Sequence, residues 1–227
     1  MLQSLSDMLS WRVRTADKTA ALSDILFDPD SRQMTYLSLR PGGVSGRQVL
    51  ASASRLGKTD PHAREVELRI TPEELETAPS WGGDADELSA LLTAMPPLVV
   101  GPFGATHAPL AMAAFAGESG ENEADMPPDP RAEEALDRYT RLTRWLGREV
   151  FARDAELGTL SDILADPVEN RLAYFIVDNG KFFGHEQRAL PVSALAHRAP
   201  VAKGGHIVLD VTAAEFETAP HPDALPA

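Results

Sequence analysis

The chain contains no cysteine at all, so it forms no disulfide and carries no thiolate nucleophile or Cys-based zinc site. It also has no run of about 18 apolar residues, the minimum for a helix that crosses a bilayer. The N-terminus, Met1-Leu-Gln-Ser-Leu-Ser-Asp7, lacks a basic stretch followed by an apolar one. No secretory leader is expected from such a start, which leaves the cytoplasm as the expected compartment. Positive charge is scarce: 21 Lys and Arg stand against 34 Asp and Glu, for a net −13. The deficit is local. Residues 1–80 carry −1, residues 131–227 carry −4, and residues 81–130, with no Lys or Arg, carry −8. Neither flank supplies the basic stripe that nucleic-acid binding requires, and anionic lipid is disfavoured for the same reason.

What the chain does have is a repeat. Leu22-Ser-Asp-Ile-Leu-Phe-Asp-Pro29 returns as Leu160-Ser-Asp-Ile-Leu-Ala-Asp-Pro167, and eight of the fifteen positions from Leu22 to Tyr36 are identical in the second copy. Thr71-Pro-Glu-Glu-Leu-Glu-Thr-Ala-Pro79 returns as Thr212-Ala-Ala-Glu-Phe-Glu-Thr-Ala-Pro220. Two blocks recurring in the same order imply two copies of one folded unit, too long for a small stacked repeat. Features in both copies point to the fold. Features in one copy are the better place to look for function.

Each copy reads as short strands separated by turn residues. In the first, strands are expected at Ala20–Phe27, Met34–Leu39, Arg47–Ser52 and Glu65–Ile70, the last with Val66, Leu68 and Ile70 alternating onto one face. In the second they fall at Thr159–Ala165, Leu172–Val177, Gln187–Val192 and His206–Val211. Many short strands without a long helix between them predict two small antiparallel barrels, a mainly β fold. Thr71 with Glu74 and Thr212 with Glu215 have capping-box spacing, so each copy ends in a short helix stopped by Pro79 or Pro220. Leu75 and Phe216 occupy equivalent places on these helices and are expected to plug a barrel end.

The division is therefore residues 1–80, a first barrel; 81–130, an acidic linker; and 131–227, a helix followed by a second barrel. Pro and Gly make up 13 of the 50 linker residues, which works against long regular structure. Its apolar strip Pro109–Phe115 reads as a seam packed against the barrels rather than a free partner-binding strip. A helix is expected from Asp129-Pro130, with Leu136, Tyr139, Leu142 and Leu146 as its apolar stripe and Gly147 ending it.

These elements resemble the PRC-barrel family, here in tandem. The residues that carry the likeness are Leu146-Gly-Arg-Glu-Val150, Asp154 through Pro167, Arg171-Leu-Ala-Tyr-Phe-Ile-Val-Asp178, the turn Gly180-Lys-Phe-Phe-Gly184, and Leu190-Pro-Val-Ser-Ala-Leu195. The first copy departs from them, with Ala20 in place of Gly158 and Ala51-Ser-Ala-Ser-Arg-Leu56 in place of the Pro-Val-Ser-Ala-Leu stretch. The resemblance implies a compact barrel that works by contact. It is similar to the cytoplasmic barrel of the photosynthetic reaction centre H subunit, which caps a membrane complex and helps conduct protons. It is also similar to the C-terminal barrel of ribosome maturation factors of the RimM type. The membrane helix of the H subunit has no counterpart in this sequence.

Candidate chemistry is sparse. Asp24 and Asp162 recur, as do Asp28 and Asp166. A paired-carboxylate acid–base site is one reading. The preferred one is structural: Asp before Pro caps a tight turn, and the Ser-Asp step bends a strand. No His-Glu-x-x-His, phosphate loop or Gly-x-Ser-x-Gly is present among the six histidines and sixteen glycines. His185-Glu186 sits at a predicted turn, either as a proton relay or pH-sensitive contact or as an ordinary turn histidine. Phe182-Phe183, unique to the second copy, is either an exposed anchor for a protein partner or a pair folded back over a barrel mouth.

The expected function is a non-enzymatic protein-interaction or assembly module that takes no cofactor or metal. The alternative is an accessory subunit supporting electron or proton transfer at a membrane complex, as in the H subunit. The expected partner is another protein or protein complex, not nucleic acid, with any membrane association made through that partner. Possible partner-binding residues are Phe182, Phe183 and His185.

Overall fold

The computed structural model describes residues 1–42, 48–79, 140–180, 186–199 and 205–225. The chain order opens with β1 (Gln3–Ser4), α1 (Leu5–Met8), β2 (Arg12–Arg14), β3 (Thr19–Asp28) and β4 (Gln33–Pro41). It continues through β5 (Val49–Ser52), β6 (Leu56–Asp60), β7 (Glu65–Leu68) and α2 (Pro72–Glu76). The second half repeats this series. It has β8 (Thr140–Arg141), α3 (Leu142–Trp145), β9 (Glu149–Phe151), β10 (Glu156–Asp166) and β11 (Arg171–Asp178). Then follow β12 (Gln187–Pro191), β13 (Leu195–Arg198), β14 (Ile207–Leu209) and α4 (Ala213–Thr218).

The described strands form two sheets with one order. The first runs β5-β4-β3-β2-β7-β6 and the second β12-β11-β10-β9-β14-β13. The fold is mainly β, as expected, but the ladders are mixed. β2 pairs parallel to β7, and β9 parallel to β14, while all other pairs are antiparallel. The parallel step arises because the last strand of each series returns beside β2 or β9 rather than through a hairpin. The short β2 and β9, and the strands β6 and β13, are additions to the sequence reading. Three residues with little alternation leave no periodic signal.

Repeated sequence gives repeated local structure. Asp28 and Asp166 each turn a hairpin through their side chains. Asp28 Oδ1 accepts from the Asp30 N–H at 2.9 Å, and Asp166 Oδ1 from Val168 and Glu169 at 2.9 and 3.0 Å. Both capping boxes form, with Thr71 answering Glu74 and Thr212 answering Glu215. The Thr212 N–H, donated to Glu215, is the main reason that carboxyl sits below its ordinary pKa. Leu75 and Phe216 on these helices are buried at 4% and 7% exposure. Beyond the helices the chain reaches the far edge of its sheet, where Pro79 accepts from Leu50 N–H and Pro220 from Ala189 N–H, both at 2.9 Å.

The two sheets do not stand apart. Their buried residues form one continuous apolar cluster that includes Ile25, Phe27 and Leu37 from the first and Ile163, Phe175 and Val177 from the second. Leu172 N–H donates to Arg32 O at 2.8 Å, and Asn170 Nδ2 to Met34 O at 2.9 Å. Arg198 reaches Asp30 through both terminal nitrogens, at 3.1 and 3.3 Å.

The helix expected up to Gly147 is corrected over its described part. Thr140 and Arg141 are extended and pair with β3, and only Leu142–Trp145 forms a helical turn. Pairing with β3, and the Arg141 bond to Asp24, hold these two residues in the extended form, against the helical periodicity. Gly147 follows with φ +81°, a conformation open to glycine at little cost. The remainder of that helix and the strip Pro109–Phe115 lie outside the described residues.

Candidate functional site

The residues that the repeat singles out lie where the two halves grip each other. β1, from the start of the chain, pairs with β10 of the second sheet, Gln3 opposite Ala165 and Ser4 opposite Leu164. β8, from the start of the second copy, pairs with β3 of the first, Thr140 opposite Phe27 and Arg141 opposite Leu26. Each copy therefore extends an arm, a two-residue strand and one helical turn, onto the other copy's central strand.

Asp24 and Asp162 receive these arms. The register of both long strands slips at that point, between Leu22 and Asp24 and between Leu160 and Asp162, so a bulge turns each carboxylate toward the incoming arm. Asp24 is fully buried. Its Oδ1 accepts from Ile25 N–H at 2.9 Å and Thr143 N–H at 3.1 Å. Its Oδ2 accepts from the Thr143 hydroxyl at 2.6 Å and Arg141 Nε at 2.8 Å. Asp162, half-buried, repeats two of these four contacts and replaces a third. Ile163 and Ser6 N–H donate to Oδ1 at 2.7 and 2.9 Å, and the Ser4 hydroxyl donates to Oδ2. Where Asp24 has a guanidinium, Asp162 has a hydroxyl.

The surroundings diverge in the same sense. Beside Asp24, Gln48 Nε2 donates to Ser23 Oγ at 2.9 Å and to Ser38 Oγ at 2.5 Å, filling the space with a buried polar network. Beside Asp162, Gln187 takes the place of Gln48, and Ile176 that of Ser38. Gln187 Nε2 reaches Ser161 Oγ at 3.5 Å. A cleft of about 410 Å³ opens here, lined by Ser4, Ser161, Asp162, Gln187, Asp223 and Leu225 among others.

Nothing in this arrangement pairs two carboxylates for proton transfer. Asp24 and Asp162 each belong to a separate strand bulge, and Asp28 and Asp166 each close a turn. Among the described residues no group of three or more His, Asp or Glu converges as a metal site. Nor is any described helix long and apolar enough to cross a membrane. Phe182, Phe183 and His185 fall between β11 and β12, outside the described residues.

Sequence reasoning missed the arms. A signal was present: Leu5-Ser6 and Leu142-Thr143, followed by Leu9 and Leu146 and then Val13 and Val150, keep one offset ahead of each copy.

The strands β8 to β14 lie within a stretch that a family comparison matches. Residues 138–216 are a PRC-barrel domain. The match begins just before β8, so the PRC-barrel domain includes an arm that here lies on the other sheet. The N-terminal arm that completes β10 lies outside it. No curated protein matches the chain.

Proposed function

We propose that the chain is a non-enzymatic interaction module built of two PRC barrels in tandem, with residues 1–80 and 131–227 as the barrels and 81–130 as their linker. The reciprocal exchange of arms carries this reading. It spends the recurrent carboxylates on holding the halves together, and it fuses two sheets around one core. A PRC barrel is a general β module, and two of them locked in a fixed relation present a composite surface to a larger protein assembly.

The anchor we assign to that surface is Phe182-Phe183 with His185. These residues lie in a connection between adjacent strands of the second sheet and have no counterpart in the first copy. Aromatic side chains, Phe among them, are enriched at protein interfaces. The test is capture of partners from the native cells by wild type and by the Phe182→Ala/Phe183→Ala variant, with thermal stability measured on both. Reduced capture at unchanged stability is expected. Equal capture at equal stability removes the pair as the anchor.

A further inference from the structure

The two arm sites are the same construction with one difference, and that difference points to a ligand. A carboxylate offers about four acceptor positions. At Asp24 all four are taken, the fourth by Arg141 Nε at 2.8 Å. At Asp162 the equivalent arm residue is Ser4, whose hydroxyl takes the position of Arg141 without its charge, while Ser6, the counterpart of Thr143, turns its hydroxyl to Ser4 Oγ at 3.2 Å instead of to the carboxylate. Ser4 and Asp162, the counterparts of Arg141 and Asp24, both line the 410 Å³ cleft, a volume within the range of ligand pockets.

The cleft is also acidic. Asp162 forms its inner wall, and Asp223, paired with His221 at 3.3 Å, stands at its exposed rim. Gln187 presents an amide to the interior, and Leu225 and Ile176 supply apolar surface along which an alkyl stem can lie. A planar guanidinium suits this set better than an ammonium, because its fork of N–H donors can engage Asp162 and the Gln187 carbonyl together.

We propose that the cleft beside Asp162 takes the guanidinium of an arginine side chain from a partner polypeptide, as Asp24 takes that of Arg141 within the chain. This deepens the interaction reading and rests on it. A single arginine gives weak affinity by itself; in a larger interface it fixes register and selects partners.

The test uses the full-length protein and the variant Ser4→Arg, which rebuilds in the second half the arrangement found in the first. Ser4→Arg gives up the Ser4 cap on the Asp7 N–H and the hydroxyl bond to Asp162, so it is expected to melt somewhat lower yet remain folded, as the site with Arg141 does without a side-chain cap. The probe is N-acetyl-arginine amide, with the neutral citrulline analogue as control, followed through the Asp162 carboxyl and Gln187 amide NMR signals. Saturable shifts with the arginine probe, absent with citrulline and lost in Ser4→Arg, are the expected result. Absence of saturable shifts in wild type, or shifts unchanged in Ser4→Arg, overturns the proposal. Partner capture then separates the sources. A protein captured by wild type, released by the arginine probe and not captured by Ser4→Arg supports a partner's side chain. Full capture by Ser4→Arg overturns the cleft as the contact while leaving the interaction reading intact. Probe binding with no protein captured by either form overturns both the interaction reading and the assignment to a partner.

Discussion

Trp145 stands edge-on to Phe27, with ring centroids 5.1 Å apart and planes at 83°. Its own chain runs on into the second sheet, yet it lies on the arm that docks against the first. On its other side it meets Phe175 at 5.9 Å. One side chain, 1% exposed, thus joins the aromatic residues of both sheets. Trp145→Ala is expected to cost about 3–5 kcal/mol, the usual range for truncating a buried large aromatic. Because the cavity would open between the sheets, both should weaken together. Chemical denaturation followed by far-UV circular dichroism should show one transition, moved to lower denaturant. A second transition, with half the sheet signal unmoved, would show that the sheets unfold independently.

Asp24 supplies the next test. It is fully buried and paired with an Arg141 side chain that is 18% exposed. Asp24→Ala removes the acceptor shared by the Arg141 Nε–H, the Thr143 hydroxyl and two N–H groups at a buried site, and is expected to cost about 3–5 kcal/mol. Asp162→Ala removes a half-buried carboxylate with no cationic partner on its arm, and should cost less. Removing Arg141 as well as Asp24 should cost less than the two single changes added, since the second loss no longer strands a charge. Urea midpoints on wild type and these four variants settle the order. Equal losses at Asp24 and Asp162 would mean that the charge pair adds nothing to the arm site.

Much of this fold was legible in the sequence, and the reasons are physical. Strand interiors such as Val66 to Leu68, the Asp-Pro turns and the capping boxes are local devices, readable from a few adjacent residues. The arms were not, because β1 and β8 are two residues each and find their partners more than a hundred residues away. The periodicity of Leu142 and Leu146 favoured a helix, and pairing with β3 together with the Arg141 bond to Asp24 overrode it at Thr140 and Arg141. The candidate anchor was legible only as composition, two adjacent phenylalanines between two strand patterns.

Gly158 shows how a difference between the copies carries structural meaning. Its φ is +132°, in a bulge between Glu156 and Gly158, and a Cβ there would meet Asp178 O and lie 2.8 Å from Asn179 Cα. Ala20, its counterpart, pairs with Val13 in an unbroken register. Gly158→Ala is expected to destabilise by at least about 1–3 kcal/mol from backbone strain alone. Ala20→Gly should cost no more than about 1 kcal/mol through added unfolded-state entropy. Thermal melts of the two variants check this. Comparable losses in both would place the same bulge in both sheets.

The arms also make a prediction about the connection between the halves. If they carry the association, the covalent link through residues 81–130 is dispensable once folding is complete. The contacts that cross are substantial: two short β pairings, the Asp24 and Asp162 hydrogen bonds, the shared core around Trp145, and the Arg198–Asp30 pair. A protease site placed near residue 105 and cut in the native protein should give two fragments that elute together in size exclusion and melt in one transition. Adding Asp24→Ala to the cleaved protein should release them at lower denaturant than the uncut variant unfolds, because dissociation then contributes entropy that the linker had suppressed. Fragments that separate on cleavage without any denaturant would assign the association to the linker instead, and the crossed arms would then be a consequence of tethering rather than its replacement.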